Sequence, residues 1–462
     1  MDSIEAGKLF LRNNHDKWNE GHYLWIEKVT YASDVLSEAY CIAAAAAPVS
    51  STTPSLSSHP FSSTHRKMHR INKAGALIRR APLLSQKPHI LRVAEFQSCY
   101  GLYDLENVRL DIFPRIAMAE DKYLTFIPLI WATCKALESS QVSLAAVRDM
   151  MILSMLNYQV DEFMETVVGK HSENNIDRVR ELVRKLCSRA GAYPNTEGSQ
   201  GSNTTFPSSV SEDVLSDIAL ILGRYTSHIL QHPAVLPSPE DLQSRLAIEL
   251  EIFLQSHITQ AQDNLRFIHQ NQGRHESQNF DDDTEGVTTQ SPAEFSNPAR
   301  TFYNWVRGTS ANHTSCPFSF VFFNCLIASH CGSVFSVPTT AYVAEDFCRH
   351  LASLCRMYND YGSVARDRME GNLNSVNFPE FQAANDTKHR RDQPLSEQRA
   401  KVQLMRIADY ERKGLDMTLA HLEGLLEAEG QGDLIGALHL FYHVTDLFGQ
   451  VYVLKDIASP MK

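Results

Sequence analysis

The chain has 462 residues, 43% of them hydrophobic and 21% charged, enough to bury a sizeable core in one large domain or in two to three ordinary ones. A formal net charge of −11 excludes the broad basic surface of a nucleic-acid binder and still leaves room for a locally basic pocket. No apolar run reaches the roughly 18 residues that a membrane-spanning helix needs, and the N-terminus lacks the basic-then-apolar order of a secretion signal. Nine scattered cysteines, odd in number and without a C-x-x-C pair, read as buried free thiols of a reducing compartment. The expected location is therefore the cytoplasm, where the sequons at Asn203, Asn312 and Asn385 carry no meaning.

In chain order, residues 1–48 hold Trp18, Leu24, Trp25, Ile26, Tyr31 and Tyr40, and a Ser/Thr/Pro-rich linker follows over 49–64. Apolar residues at helical spacing predict helices over 116–137, 144–160, 176–187 and 214–230. The next helix is expected to take Ser238 as N-cap and Pro239 as its first residue, with Leu242, Leu246, Leu250, Phe253 and Leu254 on one face, and to run to about 268. Further helices are predicted over 318–328, 341–366, 397–427 and 434–454, and mobile loops over 194–211 and 271–298. Alternating strand patterns are nearly absent, so the fold class is all-α, a helical bundle.

Two polar clusters interrupt the apolar faces. Asn359, Ser363 and Asp367 fall at i, i+4 and i+8, which places an amide, a hydroxyl and a carboxylate on one side of a helix. Asn, Ser and Asp all disfavour helix interiors, so their alignment calls for a reason. Oxygen-only donors of this kind suit a hard cation such as Mg²⁺, which also takes phosphate oxygens. Asp161, Glu162 and Glu165 form a second acidic cluster at the end of an apolar run, and two such helices facing each other would clamp a metal-bound diphosphate. A third cluster, Asp281 to Glu285, sits among Gln, Asn, Gly, Ser and Thr with no apolar periodicity, and reads as a solvated loop. The histidines show no metal-ligand spacing and receive no role.

These residues resemble the class I terpene cyclases, in which an aspartate-rich motif and an N-D-x-x-S-x-x-x-E motif hold three Mg²⁺ together. The match is fuller over 359–374, NDYGSVARDRMEGNLN, which resembles labdane-related diterpene cyclases of the kaurene synthase kind. NSVNFPEF at 374–381, Trp305-Val306-Arg307, Ser315-Cys316-Pro317 and FYHVTD at 441–446 resemble the class I half of fungal bifunctional enzymes. The resemblance makes 65–462 a class I terpenoid synthase domain. Residues 1–48 resemble the last helices of an upstream class II α-barrel, and the D-x-D-D motif that protonates an alkene in class II cyclases is absent.

What the resemblance implies is specific. Asp161, Glu165, Asn359, Ser363 and Asp367 would be the metal ligands, with three Mg²⁺ as cofactor, and Arg115 and Arg366 would bind the diphosphate. Glu162, Glu165 and Asp367 depart from the family's commonest residues, keeping a carboxylate while changing its reach by one methylene. The implied activity is that of a carbon–oxygen lyase. It ionises copalyl diphosphate and cyclises it to a kaurene-, pimaradiene- or aphidicolane-like diterpene. Geranylgeranyl diphosphate taken directly, and a non-catalytic remnant partnering a class II cyclase domain, are the alternatives. A class II domain or a second copy of the chain is the expected protein partner, with no nucleic acid and no membrane span. Arg356, Arg368 and Lys122 read as surface charges. Tyr158, Phe163, Trp131, Trp305, Phe320 and Tyr442 are either cavity wall or ordinary core.

Overall fold

The computed structural model describes residues 131, 142–165, 176–188, 212–276, 293–332, 334–382 and 393–454. Among the described residues every regular element is helical, so the protein is all-α as the sequence spacing predicts. Eight longer helices are α1 (Leu144–Phe163), α2 (Ile176–Ser188), α3 (Glu212–Leu230), α4 (Glu240–Glu276), α5 (Cys316–Cys331), α6 (Pro338–Glu370), α7 (Gln393–Ala428) and α8 (Asp433–Leu454). The 1–48 remnant, the 49–64 linker, the 194–211 loop, Arg115, Lys122 and the Asp281 to Glu285 cluster lie outside the described residues.

The described residues fall into two compact units. The smaller comprises Trp131, 142–156 and 436–448, and it buries Val147, Met150, Met151, Leu153, Leu156, Leu438, Phe441 and Val444. The larger comprises 157–435 and 449–454 and contains both polar clusters.

In the larger unit α4 packs against α2, α3 and α5, and α6 packs against α5 and α7. The spacing of Leu242, Leu246, Leu250, Phe253 and Leu254 puts all five in the core, as an amphipathic helix requires. The start of α4 differs from expectation: the Ser238 hydroxyl turns back to donate to the Ala234 carbonyl at 2.9 Å and does not cap the helix. Its far end also differs, because residues 271–276 continue the helix instead of opening the loop. Asn271 secures that extension by donating to the Phe267 carbonyl at 2.8 Å and the Glu294 carbonyl at 3.2 Å.

Helix α5 buries Phe318, Phe320, Val321, Phe322, Phe323 and Leu326, so it is apolar on every side and runs through the core. Asn157 ties α1 to it, donating to Ser319 Oγ at 3.2 Å while accepting from the Tyr225 hydroxyl of α3 at 2.7 Å. Before α5, Phe302–Asn304 and Ala311–His313 flank a stretch of wide π turns, Trp305–Ser310, which no residue pattern announced. Arg307 leaves this stretch to form a twofold ion pair with the buried Glu411 of α7 (2.7 Å to each oxygen), and His350 Nδ1 of α6 meets the same carboxylate at 2.5 Å. A Cβ on Gly414 would stand 2.4 Å from the His350 ring, so the missing side chain makes room for this contact.

Candidate metal and diphosphate site

Helix α6 carries Asn359, Ser363 and Asp367 in one unbroken run that ends at Gly371, whose φ of 75° is the left-handed geometry glycine adopts without strain. Asn359, Ser363 and Asp367 share a face, as their spacing predicts. The Ser363 hydroxyl donates to Asp367 Oδ2 at 2.6 Å and lies 3.3 Å from Asn359 Oδ1. From the loop beyond the helix, Asn374 donates to the same Asp367 oxygen at 2.7 Å and to the Asp360 carbonyl at 2.9 Å. Asp360 itself faces inward. It accepts from the Ser375 amide (2.8 Å) and hydroxyl (2.5 Å) and pairs with Arg356 Nε at 2.7 Å.

Arg356 is accordingly no surface charge. Its head is nearly enclosed, stacked 4.9 Å over the Trp305 ring and paired with a carboxylate that has no solvent contact. The i,i+4 spacing from Arg356 to Asp360 was the sequence signal for it. Arg368 is a surface charge as expected, paired with Glu397 at 2.5 Å. Arg366 lies 3.5 Å from Asp367 Oδ1 and 3.8 Å from Glu370, with most of its side chain covered.

At the end of α1, Asp161 keeps 38% of its side chain accessible although protein surrounds it, and Glu165 is likewise exposed yet deeply set. Burial and then the charges of Asp161, Glu370 and Asp367 push the Glu165 carboxyl up to about 8, against the pull of Arg366. Asp367 is raised to about 6 by burial and by the Asp360 charge, with Arg366, Ser363 and Asn374 opposing. The acidic end of α1 and the acidic face of α6 are therefore near enough to act on each other electrostatically. Crowded carboxylates with raised pKa values, together with an amide and a hydroxyl, are a donor set that fits a hard divalent cation.

Asp161 behaves oppositely. Burial would raise its pKa, but the neighbouring imidazoles of His257 and His313 and the Arg356 guanidinium outweigh that and hold it at about 2. His257 Nδ1 stands 3.2 Å and His313 Nε2 3.4 Å from Asp161 Oδ1. Neither approach is aligned as a hydrogen bond, since all three atoms lack a hydrogen-bond partner. Burial and the His257 charge push the His313 imidazole well below its usual value. Sequence reasoning missed both histidines, because one rides on α4 and the other on the turn before α5. Of the aromatic candidates, Trp305 packs against Phe302 and Phe378, and Phe320 against Phe335 and Phe347, as core.

The comparisons with known proteins point to one class, the diterpene synthases. Pimaradiene synthase pbcA of Emericella nidulans is 34% identical over 98% of this chain and 45% of its own length. The bifunctional ent-kaurene synthase of Gibberella fujikuroi is 33% identical over 95% of this chain and 44% of its own, and the phyllocladan-16-alpha-ol synthase of Phomopsis amygdali 28% over 95% and 44%. No family model matches the chain. The chain is similar to these fungal diterpene synthases over nearly all of its own length, and it spans about half the length of the curated relatives it matches.

Proposed function

We propose that this chain is a class I diterpene cyclase that ionises copalyl diphosphate with Mg²⁺ and closes the resulting cation to a kaurene-, pimaradiene- or aphidicolane-like diterpene, releasing diphosphate. The observation that carries the reading is the oxygen-donor face of α6, where the Ser363 hydroxyl lies 3.3 Å from Asn359 Oδ1 and Ser363 and Asn374 hold the Asp367 carboxylate at 2.6 and 2.7 Å. The names of the relatives, each a synthase of a polycyclic diterpene, support the substrate class.

In this reading Asp161 and Glu165 hold cations from one side and Asn359, Ser363 and Asp367 hold one from the other, three Mg²⁺ in all. Bound there, Mg²⁺ supplies the Lewis acidity that neutralises charge growing on the departing diphosphate oxygens. Arg366, beside Asp367, would donate to those oxygens, and Arg115, outside the described residues, is the second diphosphate-binding arginine of this reading. Asn374 and Ser363 fix the Asp367 carboxylate by hydrogen bonds, so that its orientation is set before substrate arrives. Asp360 with Arg356 and Ser375 anchors the loop that carries Asn374.

The bicyclic substrate comes from a class II cyclase, either a further half of a bifunctional protein or a separate partner. The name of the Gibberella relative and the share of it that this chain matches favour the former. No described helix is long and apolar enough to cross a membrane, which accords with a cytoplasmic site of action.

The deciding experiment incubates purified chain with Mg²⁺ and, separately, copalyl and geranylgeranyl diphosphate, followed by mass spectrometry of the organic extract. A cyclic diterpene from copalyl diphosphate alone is expected. Product from geranylgeranyl diphosphate alone would replace the substrate assignment. No product from either, with helicity intact, would overturn the catalytic reading in favour of a non-catalytic partner domain.

A further inference from the structure

Asp161 meets nitrogen donors as well as oxygen ones. His257 on α4 is almost wholly buried, and both of its ring nitrogens lack a hydrogen-bond partner; so does His313 Nε2. Leaving buried ring nitrogens unsatisfied carries a desolvation cost, so their convergence on one carboxylate oxygen calls for a ligand. The rings are 4.1 Å apart between centroids and tilted by 52°, and His257 Nδ1 and His313 Nε2 both approach Asp161 Oδ1. Asp161 Oδ1, one nitrogen of His257 and one of His313 all lie within 4.8 Å of one another.

Two edges of this triangle have the length of a coordination sphere. Two donors each held about 2.1 Å from one ion at a tetrahedral angle stand about 3.4 Å apart. The two oxygen-to-nitrogen edges here are 3.2 and 3.4 Å. The ligand chemistry then selects the ion. Mg²⁺ prefers oxygen throughout, whereas two imidazoles and a carboxylate suit Mn²⁺, Co²⁺, Zn²⁺ or Fe²⁺. Asp161 Oδ1 is itself closed to solvent, while the side chain as a whole stays 38% accessible, so its exposure lies on its other atoms. One carboxylate can therefore turn Oδ1 to the histidines and leave its second oxygen open to another ligand.

We propose that Asp161, His257 and His313 form a mixed carboxylate and imidazole site for a borderline divalent cation, distinct in its nitrogen donors from the all-oxygen positions assigned to Mg²⁺ and joined to them through Asp161. The site shares Asp161 with the cyclase reading but does not depend on it, because the nitrogen donors alone decide the preference.

The test uses the full, untagged chain, stripped of metal by chelator and titrated with Co²⁺ in the absence of any diphosphate. Expected are visible d–d absorption saturating at one equivalent and affinity at least about 10-fold above that for Mg²⁺. Pulsed electron paramagnetic resonance of the Mn²⁺ form should show coupling to imidazole nitrogen, a result that needs no variant to fold. His257→Ala and His313→Ala should each lower Co²⁺ affinity at least about 10-fold, whereas Asn359→Ala with Ser363→Ala should leave the cobalt spectrum intact. No nitrogen coupling in the wild-type Mn²⁺ form would overturn the proposal, as would undiminished Co²⁺ affinity in both histidine variants. Failure of Mg²⁺-dependent turnover alongside an intact cobalt spectrum would count against the cyclase reading alone.

Discussion

Asn374 donates to Asp367 Oδ2 at 2.7 Å, so a residue outside helix α6 sets the orientation of a carboxylate inside it. Removing the amide leaves that oxygen with Ser363 alone and frees the loop from the Asp360 carbonyl. Asn374→Ala should raise the Mg²⁺ concentration needed for half-maximal turnover by about 10- to 100-fold, as loss of an outer partner of a metal ligand does. A Mg²⁺ titration of product formation checks this, and an unchanged requirement would remove Asn374 from the site.

The cation face itself is tested by Asn359→Ala combined with Ser363→Ala. Asn359 is partly exposed and Ser363, though buried, loses only a hydroxyl, so turnover of a diphosphate should disappear while circular dichroism stays helical. Near-normal turnover would count decisively against the assignment. By contrast, Asn at 281, 282 and 283 should leave turnover unchanged, and a large loss would mean that the cation is held elsewhere.

Gly362 lies within the same motif for a packing reason. A Cβ there would stand 2.1 Å from the Tyr452 carbonyl oxygen of α8, a backbone atom with no freedom to yield. Gly362→Ala should destabilise the chain by about 3 kcal/mol. Gly424→Ala on the exposed side of α7, where nothing lies within 4 Å, should instead stabilise it by about 1 kcal/mol. Urea unfolding of the two variants gives opposite signs if the close approach is real.

Buried Glu411 is held below the usual carboxylate range, because the His350 and Arg307 contacts outweigh the penalty of its burial. A depressed folded-state pKa adds stability that is fully present above the unfolded value, near 4.5, and is lost as pH falls through the folded one. Glu411→Gln should therefore cost about 3 kcal/mol at pH 7. The gap between variant and wild type should narrow only once the pH drops below about 4.5. Unfolding midpoints measured from pH 7 to pH 4 would refute this if the gap were constant.

Much of this was legible in the residues because helices repeat locally. The 242–254 spacing gave a buried face, and Asn359, Ser363 and Asp367 could be aligned by counting in fours. The extension of α4 to Glu276 was hidden, since what holds it is Asn271 reaching Glu294 across a break in the apolar pattern. Arg356 looked like a solvated charge because its partner Asp360 was read as part of the metal motif rather than as an inward anchor. His257 and His313 could not be paired by spacing, as their proximity is created only when α4 packs against the turn before α5.

The π turns of Trp305–Ser310 make the length of that segment a functional quantity in its own right. Successive residues of a helix advance by about 100°, so deleting one, even Gly308 in its open surroundings, would swivel everything downstream. His313 would then be carried off its bearing toward Asp161 without either side chain being altered, and a count of residues between Trp305 and His313 becomes as diagnostic as their identities.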